Sequence, residues 1–199
     1  LKGHNYICGV DPSGGVGRDW SVASVWDRDD LVCVAEFASN RVDPDFFGAE
    51  ICLPLGIYYN GALMVVESNN HGGTVLSQLR GRYPNLYVRQ NWNVIDHKIV
   101  EEYGFRTDTR SRPRILDSLA RCLRENTWTP TLRQLEELKT FVMKDNEKIE
   151  AMEGYFDDAV MAAGIAMAVH FEQPVANYPP KSFFTTRISG DAEDKWMGV

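Results

Sequence analysis

Acidic residues stand at the borders of short apolar runs at three points in this chain, and that arrangement narrows the possible folds more than any other feature. Asp11 closes Asn5-Tyr6-Ile7-Cys8-Gly9-Val10, Glu67 closes Leu63-Met64-Val65-Val66, and Asp157-Asp158 opens an Ala-rich run. Short apolar runs bounded by turn residues suit buried strands, and the last run is long enough for a buried helix. Carboxylates gathered in one place repel one another and raise each other's pKa values, a strain that a divalent cation relieves by taking hard oxygen ligands. The pattern predicts an α/β fold whose strand ends carry a metal-dependent, phosphodiester-cleaving carboxylate cluster.

Around these anchors the chain divides into elements. Residues 5–11 read as a buried strand and Pro12 to Asp19 as a glycine-rich turn. Trp20–Trp26 and Leu31–Phe37, joined by the polar turn Asp27-Arg28-Asp29-Asp30, complete an antiparallel three-strand meander. Asp43-Pro44 starts a helix with Phe46, Phe47, Ile51, Leu55 and Tyr58/Tyr59 at helical spacing, and Asn60-Gly61 stops it. Leu63–Glu67 is a fourth strand, Thr74–Arg82 a helix with Val75, Leu76 and Leu79 inward, and Leu86–Val88 a fifth strand. The connection from Gln90 to Arg110 has a length that marks it as functional or mobile. Further helices follow from Ile115, Leu116, Leu119 and Leu123, and from Leu132, Leu135, Leu138, Phe141 and Val142. The final helix, Asp157 to Phe171, is apolar all round, which predicts burial and close packing through its small residues.

The expected architecture is a central mixed five-stranded sheet, a three-strand antiparallel meander plus parallel strands, flanked by helices. Residues 1–172 form one domain, and 173–199, richer in Pro, Ser, Thr and charge, form a C-terminal tail that is partly extended or flexible. No run approaches the ~20 apolar residues that span a bilayer, and the N-terminus lacks the apolar stretch of a secretion signal. A soluble, intracellular protein with no membrane contact is expected. Cys8, Cys33, Cys52 and Cys122 are scattered, which favours buried thiols over disulfides or zinc. A net charge of −7 argues against a general nucleic-acid coat protein. Yet Arg106, Arg110, Arg112, Arg114, Arg121 and Arg124 crowd into one segment, so a local cationic strip is compatible with the acidic total.

If the first and fourth strands are adjacent and parallel, Asp11 and Glu67 emerge at the same sheet edge, where α/β folds place their sites. The start of the last helix then brings Asp157 or Asp158 alongside, and two metals ~3.5–4 Å apart in such a cluster hold and cleave a phosphodiester. Each acid alone also has an ordinary reading. Asp11 before Pro-Ser-Gly suits an Asx-turn, Asp157 suits a helix cap, and Glu67 suits a solvated strand end.

Three strings carry a resemblance: Gly9-Val10-Asp11-Pro12 with its glycine-rich turn and Asp19-x-Ser21, Val65-Val66-Glu67-Ser68-Asn69-Asn70-His71-Gly72, and Phe156-Asp157-Asp158-Ala159-Val160. In this order, and over nearly the whole chain to Phe171, they resemble the nuclease domain of bacteriophage large terminase subunits, an RNase H-like fold. The resemblance implies cleavage of concatemeric double-stranded viral DNA during packaging, with Asp11, Glu67 and Asp157/Asp158 as Mg²⁺ or Mn²⁺ ligands. Likeness to Holliday-junction resolvases tilts the principal role to Asp158, with Asp157 capping or assisting. Asp19 sits where such domains often carry an accessory acid. Asn69 and His71 are placed to position DNA or water, although turn chemistry explains them almost as well. Lys98, Arg106, Arg110, Arg112 and Arg114 are the candidate DNA contacts, while Arg121 and Arg124 suit a solvated helix face and Trp92 and Trp128 suit packing.

The implied partners are a portal protein, a small terminase subunit and a packaging ATPase domain of the same full-length chain, acting in the host cytoplasm at the viral procapsid. No Gly-x-x-x-x-Gly-Lys-Ser/Thr loop stands in the sequence, so no ATP binding is expected in this domain. Three rivals remain: another RNase H-like nuclease such as a junction resolvase, a sugar-kinase or actin-like phosphotransferase, which needs two such domains, and a catalytically silent portal-docking module.

Overall fold

Burial is nearly continuous along the first two strands, as a sheet covered on both faces requires. In the computed structural model, which describes residues 3–93, 96–144 and 149–173, β1 (Tyr6–Asp11), β2 (Ser21–Asp27) and β3 (Cys33–Ser39) form the expected antiparallel meander. β4 (Leu63–Val66) pairs parallel with β1, which gives the order β3-β2-β1-β4. The sheet therefore has four strands rather than five. The segment expected as the fifth meets β4 at one parallel bridge, Met64 with Leu86. From Val88 onward its backbone pairs elsewhere.

That other pairing is a hairpin, β5 (Val88–Asn93) with β6 (Lys98–Tyr103), so most of the long connection is a regular ribbon. Gly104 ends it at φ 86°, against the Val66 carbonyl, where a Cβ would lie 2.8 Å from that oxygen. The chain then rejoins the sheet edge as Phe105 bridges to Glu67. Trp92 is 61 % exposed on the ribbon, contrary to the packing expected of it, whereas Trp128 is buried against Trp26.

Helices cover both faces. Pro44 opens α1 (Pro44–Phe46), which continues through a π-helical segment (Phe47–Cys52) into α2 (Leu53–Tyr58); α3 (Gly72–Leu79) follows β4. These pack on Cys8, Val10, Val25, Met64 and Val66. The opposite face, with Ile7, Leu63 and Val65, receives α6 (Asp158–Glu172), whose residues from Ala159 to Val169 are all buried. α4 (Ser111–Glu125) and α5 (Leu132–Lys139) flank α6. The small residues permit close approach: a Cβ on Gly9 would lie 2.0 Å from the Ala162 carbonyl oxygen, and one on Gly164 2.4 Å from Ile115 Cγ2.

α5 departs from its expected register. Leu132 and Leu135 are 82 % and 41 % exposed, and the buried positions are Gln134 and Glu137. The helix docks through polar contacts, with Gln134 Nε2 donating to Glu36 Oε2 at 2.7 Å while Thr131 and Gln134 close a capping box. It ends at Lys139, so Phe141 and Val142 lie not on the helix but on β7 (Phe141–Met143), which pairs with β8 (Ile149–Ala151). Cys8, Cys52 and Cys122 are buried and Cys33 half-buried, none in a disulfide. Among the described residues no helix is long and apolar enough to cross a membrane. Residues 174–199, nearly all of the predicted tail, lie outside the described residues.

Candidate metal centre

Strand alternation decides where the first two acids point. Successive side chains alternate between the faces of a sheet, and Ile7 on β1 and Leu63 and Val65 on β4 face α6. Asp11 and Glu67, in step with these, fall on the same face. The register brings them side by side, since Val10 pairs with Val66 and the Glu67 N–H donates to the Val10 carbonyl at 2.8 Å. Two turns on their C-terminal side keep the approach tight. Gly72 is needed because a Cβ there would sit 1.7 Å from the Glu67 carbonyl oxygen, and Gly14 lies against His71, with a Cβ reaching 3.0 Å from its Nε2.

The contact between Gly9 and Ala162 seats α6 on β1 so that its first turn reaches this edge. Asp158 Oδ2 accepts the Trp20 backbone N–H at 3.0 Å. Asp157, at the N-cap position, makes no cap bond and instead pairs with Arg112 at 3.2 Å. Arg112, a candidate DNA contact, also donates to the Ile149 carbonyl at 3.0 Å, so it turns inward. Trp20 closes the flank, its ring edge-on to Phe156 and capped by the Arg133 guanidinium at 4.2 Å.

The electrostatics are those of crowded anions. Asp11 keeps some solvent contact, but desolvation drives its carboxyl well above the usual range, helped by the charge and hydrogen bond of Glu67 and by Asp158 and Asp157. Asp158 is pushed up to about 7, chiefly by burial and against the Trp20 N–H, with Asp157, Glu137 and Asp19 adding repulsion. Asp19 is itself exposed. Asn69 Nδ2 donates to Glu67 Oε1 at 3.4 Å and to the Thr107 carbonyl at 2.7 Å, tying Glu67 to the segment after the hairpin.

Asp11, Glu67 and Asp158 stand wider than a closed ligand set. Among the described residues the three donors found within 4.8 Å of one another are His4, Asp27 and Asp29, exposed in part, near the start of β1 and the end of β2. The Asp158 carboxylate is engaged by the Trp20 N–H. The donors at the candidate centre are nonetheless all carboxylate oxygens, and Asp11 and Glu67 are close enough to share a hydrogen bond. That chemistry fits a hard divalent cation.

Of the expected cationic strip, Lys98 pairs with Asp96 at 3.3 Å, Arg114 with Glu172, and Arg112 with Asp157. Arg106 and Arg110 are exposed and make no ion pair among the described residues. The residue that sequence reading missed is Glu137, whose Oε2 accepts the N–H groups of Ala159 and Val160 at 2.8 and 3.0 Å. A glutamate in phase with Gln134 on a helix of leucines carries no signal until the docked face is known.

No protein-family model matches the sequence, and no curated protein matches it. Solved structures do match. The large terminase nuclease of thermophilic phage G20c with bound magnesium superposes with a TM-score of 0.65 at 18 % identity, over 84 % of this chain and 82 % of that one. The large terminase nuclease domain of Thermus phage P74-26 gives a TM-score of 0.61 at 19 % identity, over 82 % and 78 %. The fold is the RNase H-like one expected.

Proposed function

We propose that a chain folded like phage large terminase nuclease domains, and carrying carboxylates at this edge, is a divalent-metal-dependent endonuclease that cuts concatemeric double-stranded viral DNA during genome packaging. The observation that carries the reading is the placement of Asp11 and Glu67 side by side on parallel strand ends, with α6 delivering Asp158 to the same edge. Asp11, Glu67 and Asp158 are the ligands in this reading, for Mg²⁺ or Mn²⁺ at two positions, and Asp157 assists from its pair with Arg112. When bound, the divalent ions supply Lewis-acid stabilisation of the charge that develops on the phosphate.

The protein's own residues do the rest. Asn69 fixes the Glu67 carboxylate and ties it to the Thr107 segment, so the ligand does not have to be ordered when DNA arrives. The Trp20 N–H holds Asp158 at the same edge. Exposed Arg106 and Arg110 offer cations to the backbone, with Lys98 further along the hairpin. Asp19 and His71 border the edge as accessory groups.

A packaging ATPase domain of the same full-length chain, a portal protein and a small terminase subunit are the partners this reading assigns, at the procapsid in the host cytoplasm. The test is plasmid nicking. The domain should cut with Mg²⁺ or Mn²⁺, stop in chelator, and lose cutting in Asp11→Asn while keeping its unfolding transition. Undiminished cutting by that variant would reject the site.

A further inference from the structure

Glu137 lies on the inner face of α5 with 7 % of its surface exposed, beside the candidate centre but outside the ligand set. The N–H groups it accepts, those of Ala159 and Val160, belong to the second and third residues of α6. These are the donors that an N-cap side chain takes. The N-cap residue here is Asp157, of the right type, yet its carboxylate makes no bond to them and goes to Arg112. Glu137 therefore occupies, from another helix, the cap that Asp157 is shaped to fill.

We propose that Glu137 is a positioning residue which, by capping α6 from outside, leaves Asp157 to its pair with Arg112 and so keeps the adjoining Asp158 carboxylate at the cation-binding edge. Its placement does not depend on α6 alone, because Gln134, one turn earlier, anchors α5 to Glu36 of β3. Glu137 Oε1 is also buried without a hydrogen-bond partner among the described residues. A full carboxylate half satisfied in the interior is a costly way to cap a helix when Asp157 stands ready. The arrangement is intelligible if the benefit lies in leaving Asp157 to Arg112 rather than to the helix cap.

The inference rests on the metal site proposed above, and Mn²⁺ binding to the full chain tests it without reference to cleavage. In Glu137→Ala the freed N–H groups draw Asp157 inward, away from Arg112, and the adjoining Asp158 shifts with it. Loss of a residue that orients ligands typically costs ~10–100-fold in metal affinity, so the Mn²⁺ Kd measured by electron paramagnetic resonance should rise by about that factor. Glu137→Gln keeps an acceptor oxygen for the same donors and should bind Mn²⁺ as the parent does.

Equal Mn²⁺ affinity in the parent and Glu137→Ala overturns the proposal, whatever the change in Tm. Equal weakening in Glu137→Gln and Glu137→Ala overturns it as well, because the oxygen cap is then not the operative feature. Should Glu137→Ala fail to fold, Glu137→Asp, which retracts the carboxylate by one methylene, carries the same comparison. A parent protein that binds no Mn²⁺ rejects the metal site itself, a failure distinct from unchanged affinity across the variants.

Discussion

Gly9→Ala adds one methyl group where β1 meets α6, and the structure sets its cost. The new Cβ would lie 2.0 Å from the Ala162 carbonyl oxygen and 3.0 Å from Ala166 Cβ. Comfortable contact between such atoms begins near ~3.5 Å, so strand and helix must part by roughly 1.5 Å. α6 has little room to retreat, because its far side at Gly164 already meets Ile115 and Leu119 of α4. Overpacking of this kind costs ~1–3 kcal/mol, which for a chain of this size lowers Tm by roughly 2–12 °C. Asp158 lies one turn before Ala162 and moves with it. A displacement of ~1 Å in a reacting constellation costs ~100-fold in rate.

The assay pairs thermal unfolding with initial rates of plasmid nicking in Mn²⁺, at a temperature where both proteins are folded. Gly73→Ala, on α3 with nothing within 4 Å of the new Cβ, is the control and should leave nicking unchanged. A Gly9→Ala protein that melts and nicks like the parent would refute the tight contact. One that melts early yet nicks at the parental rate would show that Asp158 does not ride on α6.

Three further outcomes follow from the site. Asp158→Ala should abolish nicking and Asp157→Ala only reduce it, with at most ~1 kcal/mol of stability lost from the part-exposed pair with Arg112; the reverse ranking in nicking assays would exchange their roles. Reversing Arg106 and Arg110 to Glu should flatten the salt dependence of DNA binding, by ~0.9 in log–log slope for each phosphate contact removed, and a titration at several salt concentrations with an unchanged slope would place the strip elsewhere. Without divalent ions, stability should fall as pH rises from the unfolded carboxylate pKa of ~4 to about 7, where Asp158 titrates in the fold. In that window the folded state binds more protons than the unfolded chain. Asp158→Asn should flatten this part of the Tm profile, and Mg²⁺ at neutral pH should raise the parental Tm.

Much of this geometry is legible in the sequence because it rests on periodicities that residues carry themselves. The strand ends at Asp11 and Glu67 and the all-round burial of α6 follow from apolar runs and where they stop, whereas the parallel pairing of β1 with β4 enters the sequence reading only as a condition that the fold meets. The hairpin is not legible in the same way. Arg89-Gln90-Asn91-Trp92 has no apolar alternation, and the pairing of Arg89 with Glu102 has meaning only once the register is known. α5 fails for a different reason. Helical spacing groups Leu132 with Leu135 and Gln134 with Glu137, but it does not say which group meets the sheet, and here a hydrogen-bond network to Glu36 outweighs the leucines. Arg112 likewise looks like a surface cation until Asp157 is found beside it.

On the proposed function, the order in which these parts leave the ribosome acts as a safeguard. β1 and β4 emerge early and can pair, but Asp158 follows Glu67 by nearly half the chain, roughly 5–20 s at ~5–20 residues per second. Until α6 is made and slots against Gly9, a growing chain has two of the three acids and no third wall. A polypeptide interrupted anywhere before α6 would, on that function, present strand ends and an Arg-rich surface to the DNA around it without the means to cut. In that reading, competence to cut DNA arrives only with α6, the helix that covers the second face of the sheet.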